Sequence, residues 1–163
     1  MNVSLQREER PEGGWLARVT IDNTVKLNSL NRALMGEIVE TVAAFASDPQ
    51  LRLAILTGAG GRAFVGGADI GQIAALDHTS ARDFITMVHR CCDAFRRLPV
   101  PVIARIDGWT LGAGLELAAP AISGSPASAA RSACRRFGSA FLRWSRRRYC
   151  QSSSAKAEPA GCC

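Results

Sequence analysis

The sequence has little that would tie it to a metal, a membrane or a phosphate loop. It has only two histidines, His78 and His89, and its six cysteines lack the spacing of a zinc site. No metal site is expected, and both histidines read as surface residues. No stretch approaches the length of a membrane span. Residues 1–12 are polar and charged, without the apolar centre of a signal peptide, so the expectation is a soluble cytoplasmic protein. The glycines of residues 58–67 are not followed by Lys-Ser or Lys-Thr, which excludes a P-loop, and their spacing fits the dinucleotide fingerprint poorly. Carboxylates are missing from a whole region, with none between Glu116 and Glu158.

What is present fits one domain of ordinary size: 163 residues, 47% of them hydrophobic. The net charge of +6 suggests an acidic partner until it is located. From Pro120 onward there are seven Arg and one Lys against the single acid Glu158, whereas the preceding residues are close to neutral. Cys134, Cys150, Cys162 and Cys163 share that segment, so charge and cysteine content describe the tail and not the domain. Cys91 and Cys92 fall in a helical pattern and read as reduced core thiols.

In chain order, residues 3–6 and 15–21 read as strands joined by a turn through Pro11, Gly13 and Gly14. Asn28, Ser29 and Asn31 supply helix-capping residues, and Leu34, Ile38, Val42 and Phe45 recur at helical spacing. Residues 51–57 form an apolar run suited to a strand covered on both faces. The glycine-rich stretch 58–70 follows, and composition alone favours a surface loop there. Thr79-Ser80 can cap a second helix with Phe84, Val88, Cys91, Phe95 and Leu98 in one stripe, stopped by Pro99 and Pro101. A strand over 102–106 comes next. Both glycine segments follow strands, where open α/β sheets with parallel strands place ligands.

The chain is organised around residues 109–117. After the bend at Asp107-Gly108, Gly112-Ala113-Gly114 gives an almost bare backbone, followed by the single carboxylate Glu116. A bare helix start exposes N–H groups to an anion. A carboxylate one turn along can do proton chemistry beside it.

Three segments together resemble the enoyl-CoA hydratase/isomerase (crotonase) family. They are Lys26-Leu27-Asn28-Ser29-Leu30, then Ala63-Phe64-Val65-Gly66-Gly67-Ala68-Asp69-Ile70, then residues 101–108 running into Leu111-Gly112-Ala113-Gly114-Leu115-Glu116-Leu117. The resemblance spans the first strands to Ala119. It implies an α/β fold, a crotonase-like spiral of repeated β-β-α units, usually assembled as trimers or pairs of trimers. It also implies an acyl-CoA thioester substrate and no cofactor beyond the coenzyme A that the substrate carries. By motif position, the N–H groups of Ala68 and Ala113 form the oxyanion hole. Glu116 is the first of two catalytic glutamates. Leu27, Ser29, Ala63, Gly66, Gly67, Asp69, Ile70, Trp109, Gly112 and Gly114 border the substrate. Asp69 is expected to cap a local turn or helix, and Trp109 to pack near the pocket.

The implied activity is addition of water across the double bond of a 2-enoyl-CoA. An enoyl-CoA isomerase is an alternative, and so is a truncated, inactive member that only binds CoA thioesters. The family's second glutamate, in a Gly-x-Pro-Glu context, has no counterpart here, where Arg136 stands at the corresponding distance. The expected organisation is an incomplete core over 1–119 and a basic, low-complexity tail over 120–163. Residues 133–139 can be encoded so that reading one base earlier gives Met-Pro-Glu-Val-Arg-Leu, the family's second-glutamate segment. The tail is therefore expected to be a shifted reading frame, which sequencing of the coding DNA tests. Such a chain would have poor stability and exposed apolar faces. Nucleic-acid binding through Arg146-Arg147-Arg148 is a further alternative, set below an accidental basic tail.

Overall fold

A computed structural model of the chain describes residues 1–121. The first two strands, β1 (Asn2–Glu9) and β2 (Trp15–Asp22), pair antiparallel in full register from Asn2 opposite Asp22 to Glu9 opposite Trp15. The turn between them closes by hydrogen bonds from Arg10 N–H to the Gly14 carbonyl and from Gly13 N–H to the Arg10 carbonyl. Along β2 the side chains of Trp15, Ala17, Val19 and Ile21 alternate into the core, as a strand with one covered face requires. A single 3-10 turn, Thr24–Lys26, then leads to helix α1 (Arg32–Phe45).

Strand β3 (Leu51–Gly58) runs parallel to β2, and β5 (Val102–Arg105) runs parallel to β3, giving the order β1-β2-β3-β5. The expectation that β3 is covered on both faces is corrected. Leu51, Ala54 and Leu56 are buried, but Leu53 and Ile55 are only half-buried and Arg52 is exposed. The apolar run reflects one full face and one partial cover.

Helix α1 buries Leu34, Met35, Ile38, Val42 and Phe45. It packs on α3 (His78–Arg96), which buries Phe84, Val88, Cys91, Cys92 and Phe95. These side chains and the inner face of the sheet form one core. The capping expectations are refined in two places. For α1 the cap is Asn31, whose side chain accepts the Leu34 N–H, while Asn28 has another task. For α3 the cap is Asp77 in place of Thr79-Ser80. Ser80 closes a reciprocal box by accepting the Asp77 N–H as its own N–H bonds the Asp77 carboxylate.

The stretch expected as a surface loop holds a short buried strand, β4 (Ala63–Val65), and a five-residue helix, α2 (Ile70–Ala74). Strand β4 pairs parallel with the two-residue β6 (Trp109–Thr110), Ala63 opposite Trp109 and Val65 opposite Thr110. Helix α4 (Ala113–Ala118) follows β6 directly. Parallel pairing sends the chain out of β4 and β6 at the same end. The two glycine segments, 66–67 and 112–114, are therefore neighbours. The basic segment beyond residue 121, with Arg136 and four of the cysteines, lies outside the described residues.

Candidate active site

The two loops are stitched together by backbone contacts. The N–H of Leu111 donates to the Val65 carbonyl at 3.0 Å. A Cβ on Gly114 would stand 2.4 Å from that same carbonyl oxygen, so only glycine allows α4 to approach β4 this closely. Gly112, the residue ahead of α4, has φ 48° and open space where a side chain would be. Its need for glycine is conformational, and the space it leaves is room for a ligand.

Each candidate oxyanion donor is aimed by the carbonyl of its own peptide plane. In a trans peptide the N–H and C=O point in opposite directions. The Gly67 carbonyl accepts the Leu30 N–H at 2.8 Å, and the Leu30 carbonyl accepts the Asp69 N–H at 2.8 Å. The Ala68 N–H, sharing its plane with the Gly67 carbonyl, therefore points away from Leu30. The Gly112 carbonyl accepts the Leu115 N–H at 2.9 Å as the first bond of α4, so the Ala113 N–H points out of the helix start. Neither the Ala68 nor the Ala113 N–H has an acceptor among the described residues. Both alanines are half-buried.

The segment before α1 forms the other wall. Leu27 and Asn28 both occupy left-handed backbone, at φ 53° and 57°. Asparagine tolerates this region and leucine pays for it. The conformation is held by a buried network. The Asn28 side chain donates to the Ala59 and Ala63 carbonyls at 2.9 and 2.8 Å and accepts the Asn23 N–H at 2.9 Å. Asn23 in turn donates to the Ser29 carbonyl. The Leu27 carbonyl accepts the Gly66 N–H at 2.8 Å, which brings Leu27, Ser29, Ala63, Gly66 and Gly67 into one neighbourhood.

Asp69 caps α2 as expected, accepting the Gly71 and Gln72 N–H groups. Sequence reading missed its ion pair with Lys26, at 2.6 Å. The Lys26 ammonium holds the Asp69 carboxyl below the usual aspartate range, against the opposing effect of burial.

Glu116 sits three residues after Ala113, on the same face of α4, and its side chain is exposed. Side chains on a helix lean toward its N-terminus, here the end that carries the Ala113 N–H. Helix α4 packs on α3. The Cys92 thiol on α3 is pushed up to about 11, first by burial and then by the charge of Glu116. Trp109 and Ile70, expected near the pocket, are 41% and 81% exposed. Ile73, one turn beyond Ile70, is exposed on the same side of α2. Thr110 was not anticipated: it is 2% exposed, and its hydroxyl has no partner among the described residues. An open cleft lined by Arg32, Gln72, Ala75, Leu76, Ser80 and Asp83 adjoins α2 and was also unforeseen. His78 and His89 are exposed and lie apart from these groups in sequence, on α3.

The fold and loop geometry define a chain whose paired glycine loops end two parallel strands and present two amides with no acceptor among the described residues. Comparison with known proteins makes this specific. The sequence model of the enoyl-CoA hydratase/isomerase family matches residues 12–135, a span that runs past Ala119. The chain is 36% identical to the crotonyl-CoA hydratase of Syntrophomonas wolfei and 34% identical to the short-chain-enoyl-CoA hydratase of Clostridium acetobutylicum. Each alignment covers 117 residues, 72% of this chain and 43% of the relative. The crystal structure of the Bacillus anthracis enoyl-CoA hydratase superposes with a TM-score of 0.68 at 29% identity, covering 78% of this chain and 49% of that one. The chain belongs to the enoyl-CoA hydratase/isomerase family and has the corresponding part of the crotonase fold. It spans less than half the length of these relatives.

Proposed function

We propose that the chain carries the thioester-binding part of an enoyl-CoA hydratase-type lyase acting on a 2-enoyl-CoA. The observation that carries this is the pair of amides at Ala68 and Ala113. Neither has an acceptor among the described residues, and both are aimed by the engaged carbonyls of Gly67 and Gly112. In this reading the thioester oxygen accepts both hydrogen bonds. As water adds to the carbon β to the thioester, negative charge moves onto that oxygen. Donors already fixed in place stabilise the charge without reorganising, each contributing ~3–4 kcal/mol. Glu116 holds the water and takes up its proton, and returning that proton to the α carbon completes the addition. The small residues at 66, 67, 112 and 114 leave the thioester room to approach. The coenzyme A portion is part of the substrate, and no separate cofactor enters this scheme.

The test follows hydration of crotonyl-CoA by loss of its conjugated-enoyl absorbance. Glu116→Gln is expected to slow hydration about 100-fold or more while leaving crotonyl-CoA affinity within a few-fold. Equal turnover by the variant would remove Glu116 from the chemistry.

A second reading rests on Arg136, which stands where the family's second glutamate is expected. In that reading the chain binds CoA thioesters without turning them over. Saturable binding of crotonyl-CoA with unchanged absorbance would favour it.

A further inference from the structure

Among the described residues, Asp69 is the only carboxylate that is buried, at 5% exposed. It directly follows Ala68. One carboxylate oxygen accepts the Gly71 and Gln72 N–H groups at 2.9 and 3.3 Å, and the other accepts Lys26 Nζ at 2.6 Å. The main-chain N–H of Asp69 is held by the Leu30 carbonyl. The carboxylate thus anchors the chain just after one candidate oxyanion donor. It also places a fixed negative charge beside a site meant to gather negative charge. Like charges within about 4–6 Å of each other, in a partly buried setting, shift equilibria by about tenfold or more unless a cation offsets them. Lys26 is that cation. It comes from the 3-10 turn next to the left-handed pair Leu27-Asn28, and its side chain is 60% exposed, so packing alone does not account for its place.

We propose that Lys26 is a positioning and charge-balancing residue of the thioester site. Its ammonium neutralises Asp69, so the carboxylate can anchor the Ala68 loop without opposing the charge that builds on the oxygen bound there. This rests on the oxyanion reading above and adds a role for a residue that need not touch the substrate.

The test uses the whole chain with crotonyl-CoA labelled with carbon-13 at the thioester carbon. Isotope-edited infrared spectroscopy reads the carbonyl stretch, and circular dichroism confirms folding. Bound to the parent chain, the carbonyl should shift to lower frequency, because hydrogen-bond donors polarise it. Lys26→Met leaves Asp69 charged and unpaired. It should lose most of the shift and about tenfold in affinity. The double variant Lys26→Met/Asp69→Asn removes both charges, and asparagine still caps α2. It should recover the shift and return to within about twofold of the parent affinity. A Lys26→Met protein with the parent shift overturns the proposal. So does a double variant as poor as Lys26→Met, since with both charges gone nothing is left to oppose the charge that builds on the thioester oxygen. If Lys26→Met does not fold, Asp69→Asn and Lys26→Gln/Asp69→Asn decide. Asp69→Asn, which leaves the ammonium uncompensated, should match or exceed the parent shift, and Lys26→Gln/Asp69→Asn should keep it; a lost shift in either overturns the charge-balancing role. A parent chain that binds crotonyl-CoA without any carbonyl shift would instead refute the oxyanion reading itself.

Discussion

Gly114 and Thr110 show how tightly single residues are constrained where β4, β6 and α4 meet. Any side chain on Gly114 collides with the Val65 carbonyl and with the Val65 side chain. Gly114→Ala should therefore lower stability by about 1–3 kcal/mol in urea denaturation, although alanine favours helix elsewhere. Thr110 buries a hydroxyl that has no partner among the described residues. Thr110→Val keeps the shape and removes the unmet polar group, so its denaturation midpoint should stay level or rise by up to about 1 kcal/mol equivalent. A clear loss of stability in the valine variant would mean that the hydroxyl has a partner. At this scale the sequence was informative wherever a residue's job is local. Asp69 was read as a cap and is one. Asn28 was read as part of the α1 cap, yet it ties Asn23, Ala59 and Ala63 together. Its partners lie up to 35 residues away, and no local pattern reports such a bond.

Among the elements, legibility followed length. Helices α1 and α3 and strand β2 run through several periods of their patterns, and their buried positions were readable in advance. Strands β4 and β6 and helix α2 have three, two and five residues, too few for a period to repeat. They were seen only as glycine-rich sequence after strands, where a ligand can approach, and the family resemblance named the chemistry proposed for them. The caps of α2 and α3 carry a pH dependence. Asp69 is held below the ordinary value of 3.8 first by Lys26, and Asp77 first by the Ser80 hydroxyl. A carboxyl whose folded value is depressed contributes stability that is present above its unfolded value. That contribution is lost as pH falls through the lower folded value. Urea midpoints should therefore drop below about pH 4. Asp69→Asn/Asp77→Asn should flatten that drop while keeping both caps supplied with an acceptor.

The whole described body shares one core, and its two cysteines sit within it. Burial pushes the Cys91 thiol up to about 12 and the Cys92 thiol up to about 11. Both are poor nucleophiles at neutral pH, and opening of α3 from the helices packed on it exposes them. In native buffer at pH 7, alkylation read by peptide mapping should leave Cys91 and Cys92 unmodified. In denaturant they should react fully. Fast native labelling at either position would show that α3 is not docked as described. Membership of the family and the α/β fold were both readable from sequence, because three motifs fell in the right order on the right elements. The ion pair between Lys26 and Asp69 was not, since it joins positions 43 residues apart that only the folded chain brings together.

The donors of the proposed thioester site are main-chain amides, and this governs how the site can be lost. A survey that trims side chains one at a time passes over Ala68 and Ala113, because both already are the residue such a survey installs. Drift among small side chains at either position leaves the hydrogen still aimed. A heritable change that deletes one donor outright is proline, which carries no N–H. The chemical counterpart is replacing that single amide with an ester during synthesis. The site is inherited through the path of the backbone, and its loss would be read in loops that shift register before it is read in the letters at these two positions.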